Sequence, residues 1–310
     1  MNAYIAITDF EWFNLLSSLP GIEEVNFWQP GGNRVFSAIE KSGLFLFKLH
    51  SPQDFIVGGG FFAHSTILPV SLAWDTFDIK NGVESYAQMR QRIEKYKRQQ
   101  PLPHQDYPIG CILLVKPFFF SKEMWTPVPK DWKSNIVQGK RYDLTVEPGL
   151  SLFRQVQERM NLTNKAQLSS TKIFEPREKY GAPINFLPRL GQGSFRIVVT
   201  DAYDRKCAIT GEKVLPVLVA SHIRPYANGG THDPRNGILL RSDMHTLFDR
   251  GYVTITDDYH FEVSNKIKED FNNGREYYAH HGKVINIPKQ PNQAPSKEYL
   301  DWHAENVYLG

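Results

Sequence analysis

Four polar, ligand-capable side chains stand at fixed spacing in the segment ASHIRPYANGGTHDPRNGILLRSDMHTLFDRG, from Ala220 to Gly251. Fourteen positions lead from His222 to Asn236, nine from Asn236 to His245 and four from His245 to Asp249. The last interval decides the chemistry. Residues four apart on a helix share a face, so the imidazole of His245 and the carboxylate of Asp249 can point at one ion. Between His222 and Asn236 lies a Gly229-Gly230 loop flanked by Pro225 and Pro234, which lets a strand-borne histidine and a loop asparagine fold over that helix. Two short strands and a helix would then enclose the site.

The elements that must position these groups can be read on either side. Upstream, Ser194 is a candidate N-cap for a helix FRIVVTDAYDR with apolar residues at helical spacing, and KCAITGEKVLPVLVASHI reads as a turn followed by a β-ribbon. Cys207 reads as a small core residue, since the position that would complete a CxxC pair is Thr210. From Ala3 to about Asn161 the segments YIAIT, GLFLFKLH, DFIVGGGFF, GCILLVKPFFF and KRYDLTV are rich in β-branched and aromatic residues. Leu44 to Phe47 are apolar at successive positions, which predicts strands covered on both faces, as in a small barrel wrapped by helices. Gly58 to Gly60 predict a bulge or a close backbone approach. Helices are expected over Glu84 to Gln99 and Gly149 to Met160. The first carries Arg90, Arg92, Lys95, Lys97 and Arg98, either as a solvated exterior or as a phosphate-tracking surface. Residues 162–190, polar and rich in Pro and Gly, read as a linker between a domain at 1–161 and another at 191–310.

The extended pattern resembles the HNH, or ββα-metal, nucleases of the subgroup found in bacterial restriction enzymes. Beyond the signature residues, GQGSFRIVVTDAYDRKCAITG before them and LLRSDMHTLFDRGYVTI after them share the likeness, from about Gly191 to Asp258. The resemblance implies that His222 is the general base that takes a proton from water attacking a phosphodiester, a task suited to an imidazole. It implies that Asn236 holds the loop and orients the His222 ring through hydrogen bonds, and that His245 binds a divalent ion with Asp249 as a further ligand. A carboxylate there favours magnesium or manganese. Many members place an Asp or His ligand just before the base, where this chain has Ser221; the metal would then hold more water and bind weakly, or Asp243 or His232 would complete its shell, unless both are surface residues. Arg224, Arg235 and Arg241 are candidates for clamping phosphates or for structural ion pairs. One such site cuts one strand, so a double-strand break implies a homodimer.

The N-terminal strands, centred on NFWQPGGNRVFSAIEKSGLFLFKLHSPQDFIVGGGFF, resemble the PUA superfamily of small barrels, particularly its EVE and YTH-like branches. That likeness implies a pocket that takes one flipped, modified base between aromatic rings. The pocket residues it suggests are Trp28 and Trp74 as the rings, with His50, Ser51 or Asp54 reading the base edge; alternatively the rings are barrel core.

Composition is compatible with all of this and decides little. With 310 residues, 41% of them hydrophobic and 13% aromatic, the chain corresponds to about two globular domains. A net charge of +3 neither requires nor excludes nucleic acid. Cys111 and Cys207 support neither a disulfide framework nor a ribbon-type zinc site, and no apolar run is long enough for a membrane span. The opening MNAYIAITDFEWFNLL lacks a basic n-region, so a cytoplasmic location is expected. The sequence is thus read as an α+β enzyme, a PUA/EVE-like reader joined to an HNH nuclease. The function expected is modification-dependent cleavage of double-stranded DNA, a phage-defence restriction activity directed at modified cytosine. The alternatives are a DNase without modification preference and a catalytically weak nucleic-acid binding module.

Overall fold

A computed structural model describes residues 1–32, 34–97, 99–170 and 189–310, with side chains at 164–170 set aside. The chain divides into two compact units, Met1–Pro188 and Arg189–Gly310.

The first unit is built on a sheet of seven strands: β1 (Asn2–Thr8), β2 (Glu24–Gln29), β3 (Leu44–Leu49), β4 (Phe55–Pro69), β5 (Pro108–Phe119), β6 (Thr126–Pro127) and β7 (Gly139–Asp143). Helices α1 (Phe10–Ser18), α2 (Val70–Phe77), α3 (Tyr86–Glu94) and α4 (Gly149–Ser170) complete it. The strand order is β2-β5-β4-β3-β1-β7, with β6 on β4. Only β1 and β3 run parallel. Strand β3 is buried along its whole length because successive side chains alternate between two cores. Phe45, Phe47 and Leu49 pack with Trp12, Leu16 and Phe27, while Leu44 and Leu46 pack with Ile5, Tyr142 and Val156. The glycines of β4 sit where the pairing register shifts after Gly59. A Cβ on Gly58 would collide with the Phe118 carbonyl oxygen, and one on Gly59 would come 2.6 Å from that of Phe45.

Two expectations are corrected here, and a third feature is resolved. The barrel is not closed among the described residues, since β2 and β7 end the ladder without pairing to each other. Helix α4 runs on to Ser170, so the first part of the expected linker is helical; 171–188 lie outside the described residues. The basic face of α3 is largely occupied. Arg90 is paired with Glu94 at 2.9 Å and Arg92 with Glu11 at 2.8 Å, while Lys97 lies over the Tyr107 ring; Arg98 falls outside the described residues.

The second unit holds α5 (Gln192–Ala202), β8 (Leu218–His222), β9 (Gly237–Arg241), α6 (Ser242–Asp249), β10 (Val253–Ile255), β11 (Phe261–Val263), α7 (Lys266–Phe271), α8 (Arg275–Tyr278) and α9 (Lys297–Asn306). Strands β8 and β9 form an antiparallel ribbon and α6 follows β9 without a loop, which gives a ββα unit. One core, including Phe195, Val199, Ile238, Leu240, Met244, Phe248 and Leu300, holds α5, the ribbon, α6 and α9 together. The N-cap of α5 is Gly191 rather than Ser194. The Phe195 amide donates to the Gly191 carbonyl at 2.9 Å, closing the first turn early and leaving Ser194 inside the helix.

Candidate active site

The ribbon and helix deliver the predicted residues to one place. Antiparallel pairing sets His222, the last residue of β8, opposite Gly237, the first of β9. On α6, Met244 and Phe248 face the core, which turns His245 and Asp249 outward on a common face. His245 Nε2 lies 3.2 Å from Asp249 Oδ2. His222, His245 and Asp249 border one cavity of about 360 Å³, together with Tyr226 and His303.

Asn236 is fully buried and shapes the loop above this cavity. Its Oδ1 accepts from the Arg224 amide at 2.8 Å. Its Nδ2 donates to the carbonyls of Arg224 and Thr231, both at 2.9 Å. One amide side chain thereby fastens both ends of the 224–231 loop. Gly230 packs directly against it, and a Cβ at 230 would strike the Arg224 carbonyl oxygen. The expectation that Asn236 orients the His222 ring by hydrogen bonds is corrected: all three of its side-chain bonds go to backbone. The His222 ring is held instead against the Phe195 face, with centroids 4.0 Å apart and planes 11° apart, and by a 2.9 Å hydrogen bond between its Nε2 and His232 Nδ1.

Burial, and then the neighbouring His232 and His245, push the His222 imidazole down to about 4, so the ring is neutral at physiological pH. Partial burial holds the Asp249 carboxyl above its ordinary value, and the His245 imidazole pulls it the other way. Ser221 is buried on the opposite face of β8, where strand alternation puts it, and cannot reach the cavity. Asp243 is bound to Arg241, which holds its carboxyl below the usual range, so it is not part of a metal shell with His245. His232 sits against His222 rather than on the surface.

The arginines divide. Arg235 lies on Asp233 through two guanidinium nitrogens, and Arg241 binds Asp243 and Glu276, each at 2.7 Å; both therefore make the ion pairs that were the alternative to clamping phosphate. Arg224 stacks over Trp302 at 5.3 Å and donates from Nε to the Asn228 carbonyl, which leaves its terminal nitrogens as the available donors beside the loop. One further group escaped the sequence reading, and His232 is expected from sequence on the metal or at the surface rather than against His222. His303 is buried between Thr254 Oγ1 at 2.8 Å and the Phe248 carbonyl at 3.0 Å, and burial pushes it down to about 4. Its only sequence signal is the i, i+3 spacing from the apolar Leu300 on α9. His232 carries no local signal, because only the loop closure brings it to His222.

Among the described residues no group of three or more His, Cys, Asp and Glu is gathered for a metal. What fits an ion is the His245–Asp249 pair. Its 3.2 Å separation is near the roughly 3 Å between adjacent ligands on an ion held at about 2.1 Å. Two protein donors leave the remaining positions to water and phosphate oxygen, as suits a hard cation that keeps part of its hydration.

Cys207 to Thr256 match the family model described as HNH endonuclease. These residues are an HNH endonuclease domain. The HNH domain spans both strands of the ribbon, the Asn236 loop and α6, and the protein is an HNH DNA endonuclease. HNH nucleases are generally dependent on a divalent metal. No curated protein matches the chain. Among solved structures the chain is similar to one titled "Modification dependent TagI restriction endonuclease", at 12% identity and a TM-score of 0.30, over 97% of this chain and 81% of that one.

In the first unit most of the residues suggested for a base pocket have partners of their own. Trp28 on β2 donates its indole N–H to the Asn81 carbonyl at 2.9 Å, and Trp74 lies beside Tyr86. His50 pairs with Asp9 and Asp54 with the buried Lys48, both near the end of β3, while Ser51 is exposed beside them. Strands β5 and β4 lie between β2 and β3 in the sheet order, yet Phe27 of β2 meets Phe45 of β3 with ring centroids 5.0 Å apart. The unit instead has a cavity of about 600 Å³ lined by Phe10, Phe13, Phe119 and Trp125, with Gln53 and Lys122 among its polar groups. No helix among the described residues is long and apolar enough to cross a membrane.

Proposed function

We propose that this HNH enzyme is a modification-dependent endonuclease that hydrolyses DNA carrying a modified cytosine, as in restriction of phage DNA. The observation that carries the nuclease half is the convergence of His222, His245 and Asp249 on one cavity within the HNH domain. His222, held neutral, accepts the proton of the attacking water. His245 and Asp249 would hold magnesium or manganese, which as a Lewis acid stabilises charge on the phosphate and on the leaving 3′ oxygen. Arg224, with terminal nitrogens beside the loop, contacts a flanking phosphate. Two copies, each cutting one strand, produce the double-strand break.

For the reader half, we infer a PUA/EVE-like role for the first unit, with the aromatic cavity of Phe10, Phe13, Phe119 and Trp125 as the place where an extruded base would stack. Stacking on a ring supplies about 1–3 kcal/mol per base, comparable with the cost of flipping. The engagement of Trp28 by the Asn81 carbonyl favours a second reading, a DNase without modification preference. Digestion of DNAs containing cytosine, methylcytosine, hydroxymethylcytosine or glucosylated hydroxymethylcytosine, with each divalent ion in turn, separates the two. Cutting confined to a modified DNA supports the first, and equal rates on all four select the second. His222→Ala is expected to abolish cutting, and full activity in that variant removes the assigned base.

A further inference from the structure

The assignment of His222 as the base, on which this inference rests, requires something to fix the ring, and Asn236 does not touch it. Phe195 stacks on one face and so sets the plane of the ring, but it does not distinguish the two orientations related by a half-turn about Cβ–Cγ, so which nitrogen edge faces the water must come from an edge contact. The edge contact is His232. Its Nδ1 lies 2.9 Å from His222 Nε2, and its own ring is stacked on Tyr226, with centroids 5.3 Å apart and planes 18° apart. It follows Thr231, whose carbonyl is held by Asn236 and whose hydroxyl meets that of Tyr299 at 3.3 Å. His232 is not among the residues that line the cavity shared by His222, His245 and Asp249, so its place is behind the base rather than on the ion.

We propose that His232 is the positioning residue of this nuclease: its Nδ1 accepts the Nε2–H of His222, which fixes the ring rotation and the tautomer that leaves Nδ1 of His222 unprotonated for the attacking water. The hydrogen bond made at one ring nitrogen of a histidine determines which nitrogen is basic. In the step itself the water O–H bond breaks, its proton goes to His222 Nδ1, and the oxygen's electron pair forms the new bond to phosphorus as the bond to the 3′ oxygen breaks. The resulting imidazolium keeps its Nε2–H on the neutral His232, and the departing 3′ oxygen takes its proton from solvent. Asn236 supports this contact by holding the carbonyl one residue before His232.

The test compares His232→Asn, His232→Ala and His232→Phe in the full-length protein. The Asn Oδ1 reproduces the acceptor position of Nδ1; Ala and Phe provide no acceptor, and Phe retains the ring. Single-turnover cleavage with manganese is expected to fall about 10- to 100-fold in the Ala and Phe variants and to recover to within about ten-fold of wild type in the Asn variant. In metal-free protein, two-bond ¹⁵N–¹H spectra, with His222 assigned from His222→Ala, are expected to show the Nε2–H tautomer in wild type and the Asn variant and a mixture in the Ala and Phe variants. Unchanged cleavage in His232→Phe, or an unchanged His222 tautomer in it, overturns the proposal. Hydrogen exchange over residues 218–241 reports whether each variant keeps the loop. If His222→Ala keeps full activity, the base assignment itself fails, a result distinct from any obtained at His232.

Discussion

Replacing Asn236 by Asp changes one NH₂ group to an oxygen, and the surroundings of that group set the consequence. In the wild type Nδ2 donates to two carbonyls, those of Arg224 and Thr231, each at 2.9 Å and both in a buried setting. In Asn236→Asp a carboxylate oxygen faces the same two carbonyls with no hydrogen between them, so two bonds are lost and two repulsions appear. At about 1–3 kcal/mol for each buried carbonyl left without a donor, the loop should lose roughly 2–6 kcal/mol. The Arg224 amide keeps its acceptor, so the effect is confined to the Nδ2 side. The loss has a defined pH dependence. A protonated acid restores one donor, so the folded state holds the proton more tightly than the unfolded chain and raises the introduced carboxyl above its ordinary value. More protons are then bound in the native state, and the variant's stability falls as pH rises through that raised value and recovers as pH falls. Amide exchange of peptides covering 222–236 in the full-length protein reads the loop directly, against the same peptides in wild type. Faster exchange at pH 7 that partly recovers near pH 5 is expected. Wild-type exchange at both values would refute the assignment of Asn236 as the clamp of the loop.

Three further outcomes follow from the site. Because His222 is pushed down to about 4, its base form is fully present above about pH 5, and kcat/KM at saturating metal should show no His222 ionisation between pH 5 and 8; a limb near 6.5 that is absent in a His222 variant contradicts this. His303, also held near 4 against an ordinary 6.5, binds fewer protons folded than unfolded in that window, so stability should fall as pH drops from about 6.5 to 4, by up to roughly 3 kcal/mol. Urea titrations at both ends of the window, with His303→Gln for comparison, check this; an equal pH slope in the variant counts against it. Asp249→Asn should weaken manganese binding by about ten-fold or more, or about 1.4 kcal/mol, in calorimetry without DNA, and an unchanged affinity removes Asp249 from the ligand set.

What could be read from the sequence was local. The four-residue interval from His245 to Asp249 needs only a helix to become a shared face, and the contiguous order of two strands and a helix needs only neighbouring pairings to become a ββα unit. Both are present in the structure. The pairing of Asp233 with Arg235 and of Arg241 with Asp243 is equally local, although the sequence left ion pairs and phosphate contacts as alternatives. Closure of the first unit depended on strand order, which alternation within each strand does not encode. His232 and His303 reach the site through a loop closure and a packed terminal helix, contacts ten residues distant in one case and fifty-five in the other.

A cation in the cavity would act on Asp249 and His222 in opposite senses. Partial burial raises the Asp249 carboxyl from its ordinary value. A cation beside His245 would favour the carboxylate and offset that burial, while the same charge would disfavour a second positive charge on His222. His222 is already neutral through burial and its histidine neighbours, so the ion adds to a preference the fold has established. The two halves of the site thus respond in opposite senses to one charge, each toward its working form. With Ser221 turned into the core, the residues that could hold such an ion are His245 and Asp249, on a single turn of α6.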